Sequence, residues 1–401
     1  KALAFFNTMK KYNLLFALSI FLISTQCSSD LEEIDTETTI TELTASTDND
    51  NSNSTSQTAV VSSFDHEQML TNWADNIIIP SIINFENSLV KLKNSASIFV
   101  NEPSNETLSV LKEEWLNSFL KWQHLEMFDV GLAEEIYYKN RINLYPANVN
   151  RIENNISNQN YDLNASSNFS SQGFNGLDYL LFGIGQNEEE IILKYTSEDS
   201  KYGKYFLEII DKMIELTTQV KDSWDDEFRD EFIKSTDNTS TSSINQVIND
   251  FIFYFEKGYR ANKIGIPAGR YSDGPLPDRI EAYHGKKYSK ILILEATDAI
   301  DNFYNGRFSN DITSSGLSIN DYLSYMESDQ DDKLAEKINE QLKKIKTKLT
   351  ELNTDFSEQI RQDNLEMLIT FDIIQANVVF LKVNLLQKLN INIDYADADG
   401  D

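Results

Sequence analysis

Apolar residues recur at three- and four-residue steps through most of the chain beyond residue 63. Leu334, Ile338, Leu342, Ile345, Leu349, Leu352, Phe356 and Ile360 form one series, and Phe371, Ile374, Val378, Leu381, Leu385 and Leu389 form another. A period near 3.6 residues places each series along one face of a charged helix. A third series, Leu108, Leu111, Trp115, Phe119 and Trp122, starts just beyond Pro103-Ser104, which supply a helix stop and a cap. The alternation of a half-buried strand does not persist anywhere, so the body is predicted to be all-α. Stripes of this kind more often build a bundle core than a cofactor box. Loops are expected at 154–172, 235–243 and 265–278, the last holding three prolines and three glycines. The first and last flank helical groups of similar size. The spacing therefore predicts two packed helical-bundle halves, about 64–235 and 242–401, with irregular segments where they meet.

The N-terminus breaks this pattern. Met9-Lys10-Lys11 precedes an apolar run from Leu14 to Ile23, the charged and apolar parts of a secretory signal, and ten apolar residues are too few to span a bilayer. Met9 is the expected start, which leaves the first eight residues out of the fold argument. Ser24-Thr25-Gln26-Cys27 resembles a bacterial lipobox, with Gln26 departing from the small residue usual there, and Cys27 is the only cysteine in the chain. Residues 1–26 are thus read as upstream sequence and signal peptide, and Cys27 as the lipidated residue. From there to residue 63 the chain is rich in Ser, Thr, Asn and Asp without a Lys or Arg, as expected of a disordered acidic tether. Asp30, Glu32 and Glu33 resemble the export tags of some Bacteroidota surface lipoproteins.

Charge narrows the choice of partner. The 401 residues carry 35 Lys+Arg against 64 Asp+Glu, a net −29, which argues against nucleic acid because a phosphate backbone is held by clustered basic residues. A single cysteine excludes an internal disulfide and a cysteine-ligated zinc or iron–sulfur site. The histidines, His66, His124 and His284, are scattered, and no H-E-x-x-H, G-x-S-x-G or P-loop is present.

Six segments resemble, in order, the motifs of the imelysin family. They are Trp115–Trp122 with Glu126-Met127-Phe128-Asp129-Val130-Gly131; Leu144-Tyr145-Pro146 with Ile152 and Glu153; and Gly173-Phe174-Asn175-Gly176-Leu177-Asp178-Tyr179-Leu180-Leu181-Phe182-Gly183. Then come Lys263-Ile264-Gly265-Ile266-Pro267-Ala268-Gly269 with Glu281-Ala282-Tyr283, Phe303–Gly306, and Tyr395–Asp401. The third is similar to a family signature, G-x-H-x-x-E, with Asn175 where the histidine stands and Asp178 where the glutamate stands. The resemblance implies an all-α fold of two four-helix-bundle-like halves with the site between them. It also implies two different activities, an insulin-cleaving metallopeptidase or an envelope lipoprotein of iron acquisition.

The residues weigh between them. Positions 175 and 178 share one helix face, so their side chains could converge on one cation. Amide and carboxylate oxygens suit hard ions better than zinc, and a catalytic zinc needs about three protein ligands and an activated water. His124 and Glu126, two apart, cannot share a face. His124 reads as an ordinary hydrogen-bonded histidine, and His284 as the one histidine that the fold could bring toward the signature. Glu126 reads either as a site residue or as a buried acid paired with a base such as Arg141 or Arg270. Asp397, Asp399 and Asp401 lack the downstream glutamate of a calcium loop and read as a solvated tail.

The expectation is an outer-membrane lipoprotein of the cell envelope, exposed or periplasmic, that reaches the membrane only through its lipid. It is expected to act by binding iron, haem, another small ligand or an uptake receptor. The alternatives are an imelysin-type metallopeptidase and a structural surface-interaction protein. Ligand-binding residues are expected to be Asn175, Asp178 and Glu126 from the first half and Arg270, Glu281 and Tyr283 from the second. Gly173, Gly265 and Pro267 would shape the backbone. Asp178 is the candidate metal ligand, for a divalent cation or iron and not for zinc.

Overall fold

Capping side chains set where the long helices begin. Ser104 and Thr107 form a reciprocal capping box at α2 (Asn105–Gln123), with the Ser104 amide donating to Thr107 Oγ1 at 3.1 Å and the Thr107 amide to Ser104 Oγ at 3.2 Å. The Ser200 hydroxyl accepts the Gly203 amide at the start of α4 (Lys201–Ser223), and Ser242 does the same for Asn245 at α5 (Ser243–Phe253). In this computed structural model, residues 63–196, 200–327 and 333–393 are described. The signal segment, Cys27, the tether up to residue 62 and the Asp397–Asp401 tail lie outside the described residues.

The fold is all-α, two packed helical-bundle halves, and no β-strand occurs among the described residues. In the first half α1 (Ile79–Asn101) packs against α2 and α4; in the second, α6 (Ser289–Tyr304) packs against α7 (Leu334–Glu351), and α7 against α8 (Phe356–Val379). α6 also lies on α2, and the described residues from 63 onward cluster as one compact unit. Phe303 fixes the junction, its ring 5.4 Å from Trp73, 4.9 Å from Phe128 and 5.3 Å from Phe251.

A proline adds a polar tie. Helix continues from His66 through a π-helical stretch, Asn72–Ile78, into α1, with Pro80 inside it. Proline has no N–H to give the carbonyl four residues back. That carbonyl, Asn76 O, instead accepts the Ser309 amide of the second half at 2.8 Å. Asn72 Nδ2 donates to Gly306 O and Leu317 O, each at 3.1 Å.

Two local expectations change. The series from Leu334 to Ile360 is divided between two helices, because Asp355 caps a new one by accepting the Ser357 and Glu358 amides, which leaves Leu352 in the link and Phe356 and Ile360 on α8. The 154–172 loop is partly helical: Val149–Asn158 is an α-helix and Ser166–Ser171 a 3-10 turn, joined by Asn155 Nδ2 donating to Asn168 Oδ1 at 3.0 Å. The Phe356–Leu389 helix is long and apolar enough to cross a membrane by composition alone, but Met367, Ile374, Leu381 and Leu385 are buried in the core.

Candidate functional site

Where the halves meet, helix α3 (Gly173–Asp178) faces the loop that leads into α6. Gly173 enters α3 at φ +67°, and a Cβ there would run into the Ile142 carbonyl, so the sharp entry needs glycine. On the opposite loop Ala282 and Lys286 also have positive φ, 55° and 54°, a costly conformation for residues with a Cβ. α3 holds that loop in place. Asp178 Oδ2 accepts the His284 amide and Oδ1 the Gly285 amide, both at 2.8 Å. Asn175 Oδ1 accepts the Ala282 amide at 3.4 Å, while its Nδ2 donates to Asn143 Oδ1 at 2.7 Å. Asn175 and Asp178 are both buried. Burial pushes the Asp178 carboxyl up to about 7 even though the two backbone amides favour its charged form.

Asn143 carries this chain of contacts into an ionic cluster. Its Nδ2 donates to Glu126 Oε1 at 2.9 Å and to Glu281 Oε1 at 2.7 Å. Lys263, on the π-helical segment Tyr254–Gly265 that continues α5, donates to both oxygens of Glu281, at 2.7 and 2.8 Å, and to Gln123 Oε1 at 2.9 Å. Glu126 Oε2 stands 3.4 Å from Lys263 Nζ, outside hydrogen-bond geometry. Burial alone would discharge Lys263, but Glu126 and Glu281 outweigh it and hold its pKa above the usual lysine value. Burial first, and then the Glu281 charge, push Glu126 up against the pull of Lys263. The cluster holds two carboxylates around one ammonium, and the ammonium already occupies the place between them.

The expected site residues therefore fall into three places. Asn175, Asp178 and Glu281 meet in the interior, where partners consume their polar atoms. Glu126 joins them but also faces a cavity. Arg270 lies on the surface, its guanidinium 5.2 Å over the Phe371 ring and 3.6 Å from Asp372, and it takes no part in the cluster. Tyr283 packs its ring 5.2 Å from that of His284. Gly265 lets α8 approach, since a Cβ would meet the Phe371 ring at 2.7 Å, and Pro267 O accepts the Leu276 amide at 2.8 Å to close the following loop.

The base beside Glu126 is Lys263; Arg141 instead donates to Asn164 Oδ1 at 2.8 Å. His124 Nε2 lies 2.7 Å from Glu295 Oε1. The His284 ring packs 5.1 Å from that of Tyr179, and burial, with Lys286 nearby, lowers its pKa to about 4. Sequence reasoning missed Gln123, Asn143 and Lys263. The one available signal was a lysine within the apolar run Ile264-Gly265-Ile266, where burial would demand an acid partner.

These residues do not fit a resident metal. Both oxygens of Asp178 and the amide of Asn175 are engaged, and Lys263 neutralises Glu281. Among the described residues no group of three or more His, Cys, Asp or Glu side chains is placed to hold an ion.

The open space lies next door. A cavity of about 580 Å³ runs between the 126–146 segment and the 250–266 helix. Glu126, Asn143 and Tyr254 line its buried end, and Lys139, Lys257 and Arg279 its more exposed end. Tyr145, Phe253 and Ile266 form part of the wall between. Tyr254 is 5% exposed and its hydroxyl has no hydrogen-bond partner.

The chain is similar in fold to two solved structures. One, a "putative iron-regulated protein A precursor" from Parabacteroides distasonis ATCC 8503, aligns with a TM-score of 0.66 at 16% identity over 81% of this chain and 95% of that one. The other, an imelysin-like protein from Psychrobacter arcticum 273-4, aligns with a TM-score of 0.65 at 18% identity over 82% of this chain and 97% of that one. No curated protein matches the chain. The imelysin family model matches residues 83–375, which include the signature segment, Lys263 and Glu281, and the chain belongs to the imelysin family.

Proposed function

We propose that this protein is an envelope-anchored binding protein of iron or haem-related acquisition, with its ligand seated in the cavity beside Glu126, and that it is not a peptidase. One observation carries the reading: the signature side chains are spent on the 282–285 backbone, while a cavity of about 580 Å³ stands open beside them, lined by Glu126 and Asn143 of the same run of contacts. A metallopeptidase needs an open coordination position and a metal-activated water, and the donor set here offers neither. The iron part is supported by family membership and by the iron-regulated name of one structural neighbour. The anchor is supported by the segment ending at Cys27.

The test is equilibrium dialysis of the detergent-solubilised full chain against ferric citrate and against haem, with an insulin-cleavage assay on the same preparation. Retention of iron or haem without cleavage is the expected result. Cleavage that a chelator abolishes would sink the reading.

A further inference from the structure

Helix α8 is apolar on two faces. Met367, Phe371, Ile374 and Val378 point into the core, and Leu381 and Leu385 continue that row beyond its end. Leu365, Ile369, Val379 and Val383 form a second row on the outside, with Leu365 63% and Val383 54% exposed. Together with Asp372 and Ala376 they repeat at steps of four and three residues, which makes one outward stripe. Asp372, the acid within it, pairs with Arg270 at 3.6 Å. A helix apolar all round lies inside a protein or against lipid, and among the described residues nothing covers the outer row of this one.

The charges around the stripe are unlike those of the chain. No Asp or Glu occurs from 373 to 393, and residues 333–393 hold nine Lys+Arg against eight Asp+Glu in a chain of net −29. Lys337, Gln341, Lys344 and Lys348 lie along one side of α7, and that side meets α8: Gln341 Nε2 donates to Ile373 O at 2.7 Å, and Lys348 pairs with Glu366. Lys337 and Lys344 are exposed. Lysines beside an apolar stripe suit an anionic bilayer surface, with acyl chains against the stripe and phosphates against the ammonium groups.

The entry of the chain into the fold points to the same occupant. The Phe64 ring stacks 4.8 Å from that of Tyr322, on the Ile319–Glu327 helix, which packs on Leu386–Leu389 at the end of the apolar helix. Between Cys27 and Phe64 lie 36 residues, and a polar linker of that length reaches roughly 30–36 Å. A lipid on Cys27 would keep a bilayer within reach of the stripe. A second copy fits less well. From Leu365 to Val383 the stripe is about 27 Å long and about 10 Å wide, about 270 Å² in all, against about 800 Å² per partner in a stable interface.

We propose that the outer face of α8, with the lysine row of α7, docks on an anionic phospholipid surface, a membrane contact beyond the lipid. The proposal rests on the anchored reading only for what brings the bilayer near. Reconstitution of the full chain into equimolar phosphatidylglycerol–phosphatidylcholine vesicles tests it, with a photoactivatable carbene precursor on a trace of the acyl chains and the adducts mapped by mass spectrometry. Adducts are expected on Leu365, Ile369, Val379 and Val383, and not on Ile98 or Leu193, comparably exposed apolar residues of the first half. Val379→Asp with Val383→Asp, and Lys337→Glu with Lys344→Glu, should each cut the yield on the stripe by roughly fivefold or more, the scale of one lysine near an anionic surface. All four positions are exposed, so urea midpoints without vesicles should stay unchanged.

A chain held by the vesicles with no adducts on the stripe, or with adducts spread over both halves, overturns the proposal and leaves the anchor standing. Stripe adducts in the parent and in Cys27→Ser alike, with no lipid mass on the parent, support docking and remove the anchor. A chain that the vesicles do not retain overturns both. Adducts that neither pair of substitutions alters also overturn the proposal, as does a dimer in solution that Val379→Asp with Val383→Asp returns to monomer, which would make the face an interface between copies.

Discussion

The signature segment and the cavity beside it share one run of contacts through Asn143, yet they differ in what they leave free. In the segment, Asp178 and Asn175 spend their acceptors on the amides of residues 282, 284 and 285, and the loop they hold contains two residues with positive φ. Beside it, about 580 Å³ stays open between Glu126, Asn143 and Tyr254 and the more exposed Lys257 and Arg279. A satisfied polar network fixes geometry, whereas an open cavity leaves room for a ligand. The signature therefore works as a clasp between the two halves. In the proposed function, binding falls to its neighbour.

The largest effect expected from breaking the clasp comes from Lys263→Met. Glu281 and Glu126 would face each other with no cation, and removing one partner of a buried ion pair costs about 3–5 kcal/mol. Chemical denaturation should show that loss at neutral pH. It should shrink on acidification, as the carboxylates protonate. A variant as stable as the parent at neutral pH would mean that the cluster is wet and screened, and that its ionic order does not hold the halves together.

Gly173→Ala comes next, at about 1–3 kcal/mol for backbone strain alone. The new methyl also meets the Ile142 carbonyl, so α3 must shift away from the 282–285 amides. A loss of thermal stability with slowed amide exchange at Gly285 would contradict the clasp; faster exchange there is expected.

Protonation sharpens the comparison further. Asp178 has its pKa raised to about 7, so its contribution to stability is fully present below the ordinary Asp value and is lost as pH rises toward 7. His284 has its pKa lowered to about 4, so the native state resists its charging, and its contribution is lost as pH falls from the ordinary His value toward 4. The two slopes oppose each other between about pH 4 and 6.5. Relative to the parent, Asp178→Asn should therefore gain stability as pH rises through that window, and His284→Gln should lose it, each by on the order of 1–2 kcal/mol. Urea midpoints measured at half-unit pH steps decide it. Two parallel profiles would show that neither group titrates differently on folding.

Much of this architecture was legible from periodicity. The stripes of α2, α7 and α8 point inward because a 3.6-residue repeat fixes one face of a helix regardless of what lies opposite. The division at Asp355 was masked because Leu352, Phe356 and Ile360 keep the helical spacing across it, and only cap chemistry marks the break. Asn175, Asp178, Glu126 and Glu281 were found through the family motifs, and the fold does bring them together. Their use was not legible. Whether Asp178 faces a metal or two amide protons depends on the path of a loop more than a hundred residues away. Lys263 was hidden for the same reason: its partners Gln123, Glu126 and Glu281 come from other segments, and no local spacing relates them. Tyr254 looked like one more aromatic on a helical stripe. It gains meaning only because the fold places it in the wall of a cavity.

Arg270 offers the smallest effect and the cleanest control. It lies four residues beyond Ile266, which lines the cavity wall, yet its guanidinium rests on the outer face of Phe371 and its Asp372 contact is exposed on both sides. An exposed ion pair with a surface cation–π contact contributes about 0.5–1 kcal/mol at most. Arg270→Ala should shift the melting temperature by a few degrees or less and leave ligand affinity unchanged, whereas Lys257→Ala should weaken binding without altering stability. If instead Arg270→Ala weakened binding as much as Lys257→Ala, the ligand would have to reach the Phe371 side of the helix, and the cavity mouth would be on the wrong face.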